Sequence, residues 1–332
     1  MRNNYRNVRI NERQAGNRKR NQFITRPILI VIVVIFVLFF FGIRDIKAEL
    51  KEMRDMLERI EVLQYSRKGA PVAAVASVEG VSRTEDYASS VAMDSVEKPV
   101  QRTAEEAIKR LQELAQTDPV IEGICRNTSL YPESMLMALA NNPEMADFVA
   151  GYLNDGTVTG GLTDAEKEQD FPLLLQWDPR WGYQTYGDSC VGVAGCGPTC
   201  LSMVMLYLTG DEMLMPDVIA NYAMEKGYYV NGTGTAWALI DSFPIWYGIE
   251  VSETKVTERA IKAELDKGKV LICAMGQGDF TVSGHFIVIY GYDDSGFQVN
   301  DPNCVARSRK EWTFEEIKDQ IKKIWAYEEG GK

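Results

Sequence analysis

The stretch GCGPTCLSMVMLYLTGD, residues 195–211, decides the fold of this chain. Pro198 suits the first turn of a helix, where its missing N–H group would have no intrahelical acceptor. The apolar residues at 201, 204, 205 and 208 recur on one helical face, and Gly210 is a typical helix stop. The stretch therefore predicts a helix with a buried face, and it places Cys196 just before that helix begins.

Cys196 is the candidate nucleophile. The reactive form of a cysteine is the thiolate, and the free N–H groups and the dipole at a helix N-terminus stabilise it. Cys200 lies one turn further on and is expected to pack inside the helix. The six cysteines contain no CxxC pair and His285 is the only histidine, so we predict neither a metal site nor a cofactor.

A thiolate nucleophile needs a base, and His285 in GHFIVIYGYD (284–293) is the one imidazole that the sequence offers. On its own, a lone histidine is as often structural as catalytic. Asp301 in VNDPN shifts that balance, because the turn signal DDSG (293–296) joins two strand-like segments and brings Asp301 close to His285. A carboxylate in that position can accept the other imidazole N–H group and fix its tautomer.

An oxyanion hole is also required for acyl transfer. The backbone N–H group of Cys196 is one natural donor. Gln176, in QWDPRWG (176–182), lies twenty residues ahead of the nucleophile, and its side-chain amide is the candidate for the second donor.

The C-terminal half predicts an α+β fold, with helices first and an antiparallel sheet second. Strand-like segments rich in Val, Ile and aromatic residues occupy 269–276, 284–293 and 296–301. The predicted helices cover 198–208, 216–226, 235–243, 257–267 and 313–323; the last is assigned from the capping box of Thr313 with Glu316.

The N-terminal half predicts a membrane anchor with a basic head. Residues 27–43 carry no charge, are apolar on every side and lack a small-residue cleavage site, which disfavours a core helix and a cleaved signal peptide. Residues 1–43 hold eight basic residues against one acid, although the chain is −11 overall. The positive-inside rule then leaves the N-terminus in the cytoplasm and the C-terminal domain outside the cell. An acidic body also argues against a nucleic acid partner.

Sequence character divides the chain into six predicted segments. They are a basic cytoplasmic tail (1–26), a transmembrane signal anchor (27–43), a stalk helix (44–67), a flexible linker (68–102), a helical region (103–168) and a peptidase domain (169–332). The stalk has a short heptad pattern, so self-association through this helix is an open alternative to a single stalk helix. The helical region, which begins with the capping box of Thr103 and Glu106, is expected to pack on the next domain and shows no isolated, buried-looking acid.

Residues 171–327 together resemble the C39-like cysteine peptidases, a papain-like group common in Gram-positive bacteria. The motifs that carry the resemblance are QWDPRWG, GCGPT, GHF and NDPN. The resemblance implies a papain-like fold with Cys196 as nucleophile, His285 as base, Asp301 as the orienting acid and Gln176 as oxyanion donor. The better-known relatives cut leader peptides after a double glycine on the cytosolic side of bacteriocin exporters, whereas this chain has no transporter segments.

The expected function is that of a membrane-anchored extracellular cysteine peptidase acting on peptides or proteins at the cell surface or wall. A peptidoglycan amidase or endopeptidase is the alternative enzyme, and a catalytically silent surface binding protein is the alternative outside catalysis. The substrate and the oligomeric state stay open. Pairing also stays open among the remaining cysteines, which are Cys125, Cys190, Cys200, Cys273 and Cys304.

Overall fold

The computed structural model describes residues 86–154 and 161–330, which belong to one compact unit. The predicted tail, anchor and stalk, and the linker up to residue 85, lie outside the described residues. Within the described ranges, no helix is both long enough and apolar enough to cross a membrane.

The core of the C-terminal part is a five-stranded antiparallel sheet. Two short hairpins precede it, formed by β1 (Thr185–Tyr186) with β2 (Ser189–Cys190) and by β3 (Tyr229–Val230) with β4 (Gly234–Thr235). The strands of the sheet are β5 (Ile249–Thr254), β6 (Val270–Gly276), β7 (Gly284–Tyr292), β8 (Phe297–Asn300) and β9 (Ile321–Glu329). Their order across the sheet is β5-β9-β6-β7-β8. The α+β arrangement predicted from the sequence is confirmed.

Helices cover both faces of this sheet, and most of them precede it in the chain. Those before the sheet are α1 (Tyr87–Val91), α2 (Ala104–Leu114), α3 (Pro119–Cys125), α4 (Glu133–Asn141), α5 (Ala146–Gly151), α6 (Asp164–Lys167), α7 (Val191–Ala194), α8 (Cys196–Thr209), α9 (Pro216–Glu225) and α10 (Trp237–Ser242). Later ones are α11 (Glu258–Leu265), α12 (Val305–Arg309) and α13 (Phe314–Ile317). Single 3₁₀ turns occur at Thr128–Leu130, Pro143–Met145 and Pro244–Tyr247.

The helix predicted from the opening stretch, α8, packs against the middle of the sheet. Its side chains Leu201 and Val204 share one apolar cluster with Phe286 of β7 and Trp325 of β9. On the opposite face, Ile261 of α11 packs with alternate residues of β6 and β7. Because every residue of β6 is buried, this strand lies between two apolar layers. The N-terminus of α8 is thereby held against the sheet next to the start of β7.

The prediction of a helix over 313–323 is wrong. The capping box of Thr313 and Glu316 forms, but the helix it starts ends at Ile317, and Ile321–Glu329 is a strand. Trp325 and Tyr327 pack with α8, whereas Ile324 and Ala326 pack on the other face, so this strand is buried on both sides. Pairing with β5 and β6 overrides the local helical signal. Strand β5 and helix α12 were not predicted at all.

The N-terminal helices form their own apolar cluster and pack on the C-terminal part. Leu111 of α2 and Phe148 of α5 belong to a cluster that also takes in Trp177 and Val305. The capping box of Thr103 and Glu106 at the start of α2 is confirmed. We call residues 86–154 the lead-in below.

Two acids of the region 103–168, Glu144 and Glu166, are buried. Each has its own partners, which explains how a charged group is accommodated there. Glu144 accepts backbone N–H groups at the start of α12, and Glu166 binds Arg180. Neither carboxylate is left isolated.

Arg180 of the QWDPRWG motif joins two buried carboxylates. Its Nη2 atom donates to Glu166 Oε1 at 2.6 Å, and its Nε atom donates to both Asp178 oxygens at 3.0 Å. The guanidinium also lies 4.6 Å from the ring centroid of Trp181. Burial raises the pKa of Asp178 in spite of the Arg180 charge, and both acids depend on that single cation.

We predict that Arg180→Met lowers the free energy of unfolding by about 3–5 kcal/mol at pH 7, because it leaves two buried carboxylates without a counter-charge. Urea unfolding of the full-length protein in detergent measures this change. Arg126 is the matched control, because its ion pair with Glu122 is exposed, and Arg126→Met should change the free energy by less than about 0.5 kcal/mol. Equal losses in the two variants would contradict this view of Arg180.

Candidate active site

Cys196 is the first residue of α8, because the helix begins two residues earlier than the predicted start at 198. The N–H groups of the first helical turn have no intrahelical acceptors, so they favour a negative charge beside them. Cys196 is partly exposed, whereas the residues that follow it in α8 are buried as far as Met205. The nucleophile candidate therefore stands at an accessible end of a helix whose first turns are otherwise buried.

The backbone beside Cys196 approaches hairpin β3–β4 closely. A Cβ atom on Gly197 would lie 2.7 Å from the side chain of Thr235, which is closer than side chains pack. Thr235 in turn hydrogen-bonds to the hydroxyl of Tyr186 at 2.8 Å. Glycine is required at 197 for this approach, and Thr235 and Tyr186 line the site although the sequence reasoning did not single them out.

His285 lies at the start of β7 and contacts both of its predicted partners. Its Nε2 atom is 2.7 Å from Asp301 Oδ1, and the side chain of Cys196 is near enough to the ring to help raise the imidazole pKa. The contact with Asp301 uses Nε2 and so leaves Nδ1 for the sulfur. Burial alone would lower the pKa of His285, but the charge and hydrogen bond of Asp301, together with Cys196, raise it to about 9.

Asp301 follows β8 directly and is completely buried. Its Oδ1 atom accepts the Asn303 N–H group at 2.8 Å in addition to the imidazole, and its Oδ2 atom accepts Arg307 Nε at 2.6 Å. Burial alone would raise the pKa of this carboxyl, but the charges of Arg307 and His285 outweigh it and lower the pKa to about 2. Asp301 is therefore a carboxylate across the physiological range.

Gln176 is buried between the segments that precede Cys196 and follow Asp301. Its Nε2 atom donates to the Gly192 carbonyl at 3.0 Å, and its backbone N–H group donates to the Pro302 carbonyl at 2.7 Å. Its Oε1 atom is buried without a hydrogen-bond partner among the described residues. One amide hydrogen is committed to Gly192, which leaves the second for another acceptor.

All six cysteines are free thiols in the structure, so none of the disulfide pairings left open by the sequence is formed. Burial raises the pKa values of Cys190, Cys200, Cys273 and Cys304, which keeps these thiols neutral. Cys125 is half-buried in the lead-in. Across 86–154 and 161–330, no three His, Cys, Asp or Glu side chains are placed to hold a metal ion.

Arg307 is a further residue of this site that was not predicted from the sequence. It lies in α12, is buried, and binds the carboxylate that orients His285. Its only sequence signal was a basic residue six positions after Asp301. That signal is weak, because most arginines are exposed and nothing local predicted helix α12.

Comparisons with known proteins were consistent with the motifs. Residues 168–331 match the model of the Peptidase_C39 like family, which confirms the resemblance for this part of the chain. A solved structure from Bacillus anthracis, described as a C39-like peptidase, aligns with 49% of this chain and 96% of its own at 16% identity, with a TM-score of 0.31. No curated protein matches the chain.

We predict that the contribution of the His285–Asp301 pair to the stability of the fold decreases both at low pH and at high pH. The raised pKa of His285 means that its contribution is complete below the ordinary value of 6.5 and is lost as pH rises through about 9. The lowered pKa of Asp301 means that its contribution is complete above 3.8 and is lost as pH falls towards about 2. The pair therefore stabilises the fold most between pH 3.8 and pH 6.5, the ordinary pKa values of the two side chains.

Urea unfolding of wild type and His285→Asn checks this dependence. The difference in unfolding free energy should be largest near pH 6 and should shrink by roughly 1–3 kcal/mol by about pH 10. A difference that stays constant over that range would show that the imidazole carries no charge-dependent contact with Asp301.

Proposed function

We propose that this chain is a cysteine peptidase whose C39-like domain hydrolyses peptide bonds through Cys196, His285 and Asp301. The proposal rests on one observation, the placement of the His285 imidazole between Cys196, which acts on its pKa, and the buried carboxylate of Asp301, to which it is hydrogen-bonded. A nucleophile, a base and an orienting acid in that order are what acyl transfer by a cysteine requires.

The reaction begins with proton transfer from the Cys196 thiol to Nδ1 of His285. The thiolate attacks the carbonyl carbon of the peptide and forms a tetrahedral intermediate. When that intermediate collapses, the C–N bond breaks and the imidazolium gives its proton to the leaving amine. His285 then takes a proton from water, the hydroxide attacks the thioester, and the sulfur leaves as the thiolate with the acid product released.

The oxyanion of each intermediate needs donors beside Cys196. The backbone N–H group of Cys196 is one, because it belongs to the first turn of α8. We assign the other to the amide hydrogen of Gln176 that is not bonded to Gly192. The hydrogen bond from the Gln176 backbone N–H group to the Pro302 carbonyl fixes the position of Gln176 relative to Asp301.

We further propose that residues 27–43 anchor the protein in the cell membrane with the C39-like domain outside. This part of the proposal rests on the apolar run and on the excess of basic residues ahead of it. Substrates are then peptides or proteins at the cell surface or wall. An amide bond in a wall peptide is open to the same chemistry, and wall hydrolysis is therefore an outcome that the experiment distinguishes.

We predict that limiting iodoacetamide labels Cys196 first at about pH 6, at a rate at least about ten-fold above that of Cys125. The reason is that, of these two thiols, only Cys196 has an imidazole base beside it and lies at a helix N-terminus, which both promote its reaction as a nucleophile. Peptide mapping of the full-length protein in detergent measures both rates. His285→Ala should remove the advantage of Cys196, and preferential labelling of another cysteine would overturn the assignment of the nucleophile.

Cys196→Ala should reduce hydrolysis of a peptide library by about 10³-fold or more, whereas the matched variant Cys125→Ala should retain wild-type rates. The same proteins are incubated with purified wall material. Hydrolysis confined to wall peptides would identify a wall endopeptidase or amidase. Labelling of Cys196 without hydrolysis of either material would favour a surface binding protein.

A further inference from the structure

Arg307 lies on the side of Asp301 opposite the imidazole. Its Nε atom donates to Asp301 Oδ2 at 2.6 Å, whereas His285 contacts Oδ1. The side chain of Arg307 is only 6% exposed and that of Asp301 is fully buried. The Nη1 and Nη2 atoms of Arg307 have no hydrogen-bond partner among the described residues, so the ordered contact of this guanidinium is the one with Asp301.

The two cations beside Asp301 differ in kind. His285 gains and loses its charge during the proposed reaction and with pH, whereas a guanidinium stays charged under all such conditions. A fully buried carboxylate with only a neutral imidazole beside it would tend to take up a proton. Arg307 supplies a positive charge that remains when His285 is neutral.

The lead-in holds the helix that carries Arg307. Glu144 Oε2 accepts the Val305 N–H group at 2.8 Å, and Glu144 Oε1 accepts the Ala306 N–H group at 3.0 Å. Both N–H groups belong to the first turn of α12, where the intrahelical acceptors are missing. Trp177 Nε1 donates to the Asn303 carbonyl at 3.0 Å and fixes the turn between Asp301 and α12.

The other titratable groups near these residues are three thiols and one acid. Cys304, in the turn before α12, and Cys200, in α8, both face Asp301, and burial keeps both thiols protonated. Cys196 faces His285 from the end of α8. Glu144 faces Arg307 from the lead-in. The charges that act most strongly on Asp301 are those of Arg307 and His285.

We propose that Arg307 is a positioning residue of the site: its guanidinium keeps Asp301 ionised and directed at His285, and Glu144 of the lead-in fixes the helix that carries Arg307. The lead-in, which has no role in the chemistry itself, then becomes a required part of the active site. The inference rests on the proposed function only in taking Cys196, His285 and Asp301 as that site.

The single histidine of the chain makes a direct test possible. In full-length protein labelled with ¹⁵N-histidine and held in detergent micelles, every imidazole signal belongs to His285. When Asp301 takes up a proton, the chemical shifts of these signals should change. We expect the midpoint of this change, the acid inflection, at a pH well below the ordinary carboxyl pKa of 3.8. A wild-type inflection at or above that value would overturn the proposal, even if no variant folds.

Arg307→Gln should move this acid inflection upward by about 1–3 pH units, since an adjacent opposite charge lowers a carboxyl pKa by that amount. Arg307→Lys keeps the charge and should retain most of the wild-type position. Arg309→Gln is the matched control, because Arg309 is exposed in the same helix, and it should leave the inflection unchanged. A general loss of packing would not produce this charge-dependent pattern.

Glu144→Gln should move the inflection in the same direction by a smaller amount, because α12 loses one of its anchoring oxygens. Glu166→Gln removes the other buried acid discussed above, which contacts Arg180 and not α12, and it should have no effect. An unmoved inflection in Glu144→Gln would overturn the part of the proposal that concerns the lead-in.

The pH profile of Cys196 alkylation gives a second readout, in which the acid limb of Arg307→Gln should shift upward with the inflection. Failure of this inference is distinguishable from failure of the proposed function. An inflection that moves in a protein that cleaves no peptide supports the role of Arg307 and contradicts the peptidase. Peptide hydrolysis with an unmoved inflection in Arg307→Gln contradicts the role of Arg307 and leaves the peptidase intact.

Discussion

The charge on Asp301 is the constraint on which the rest of the site depends. A carboxylate with no solvent contact is costly unless it is paired and hydrogen-bonded, and this one has an imidazole, a guanidinium and a backbone N–H group. These partners come from β7, from α12 and from the turn that joins Asp301 to α12. The sheet and the helix after it must both be in place before the carboxylate can be buried, so assembly of the site and folding of the domain are one event.

Much of the site was predictable from short motifs, because each of its parts begins from local chemistry. Proline and glycine mark the start and end of the helix behind Cys196, and the DDSG turn sets the hairpin that brings His285 and Asp301 together. These signals act over a few residues. The sequence could therefore predict that Cys196, His285 and Asp301 come together, although the helix begins two residues earlier than predicted.

The parts that escaped prediction depend on residues far apart in the chain. Strand β9 begins just after a genuine capping box, and only its partners β5 and β6 show that the segment is extended. No local signal marks Glu144 as an anchoring acid, because its partners at Val305 and Ala306 lie 161 and 162 residues away. The role of Arg307 likewise requires α12, whose start is fixed by Glu144.

Strand β9 also bears on the order in which the domain can be built. It is the last of the five strands in the chain, yet it lies between β5 and β6. Until it is made, β5 has no neighbour in the sheet and one edge of β6 is left unpaired. A ribosome or a translocation channel delivers the chain from the N-terminus, so Cys196, His285 and Asp301 all emerge before the strand that closes the sheet. The nascent domain thus carries its reactive groups for a time with an open, apolar strand edge, the kind of surface that chaperones cover and that other chains can extend.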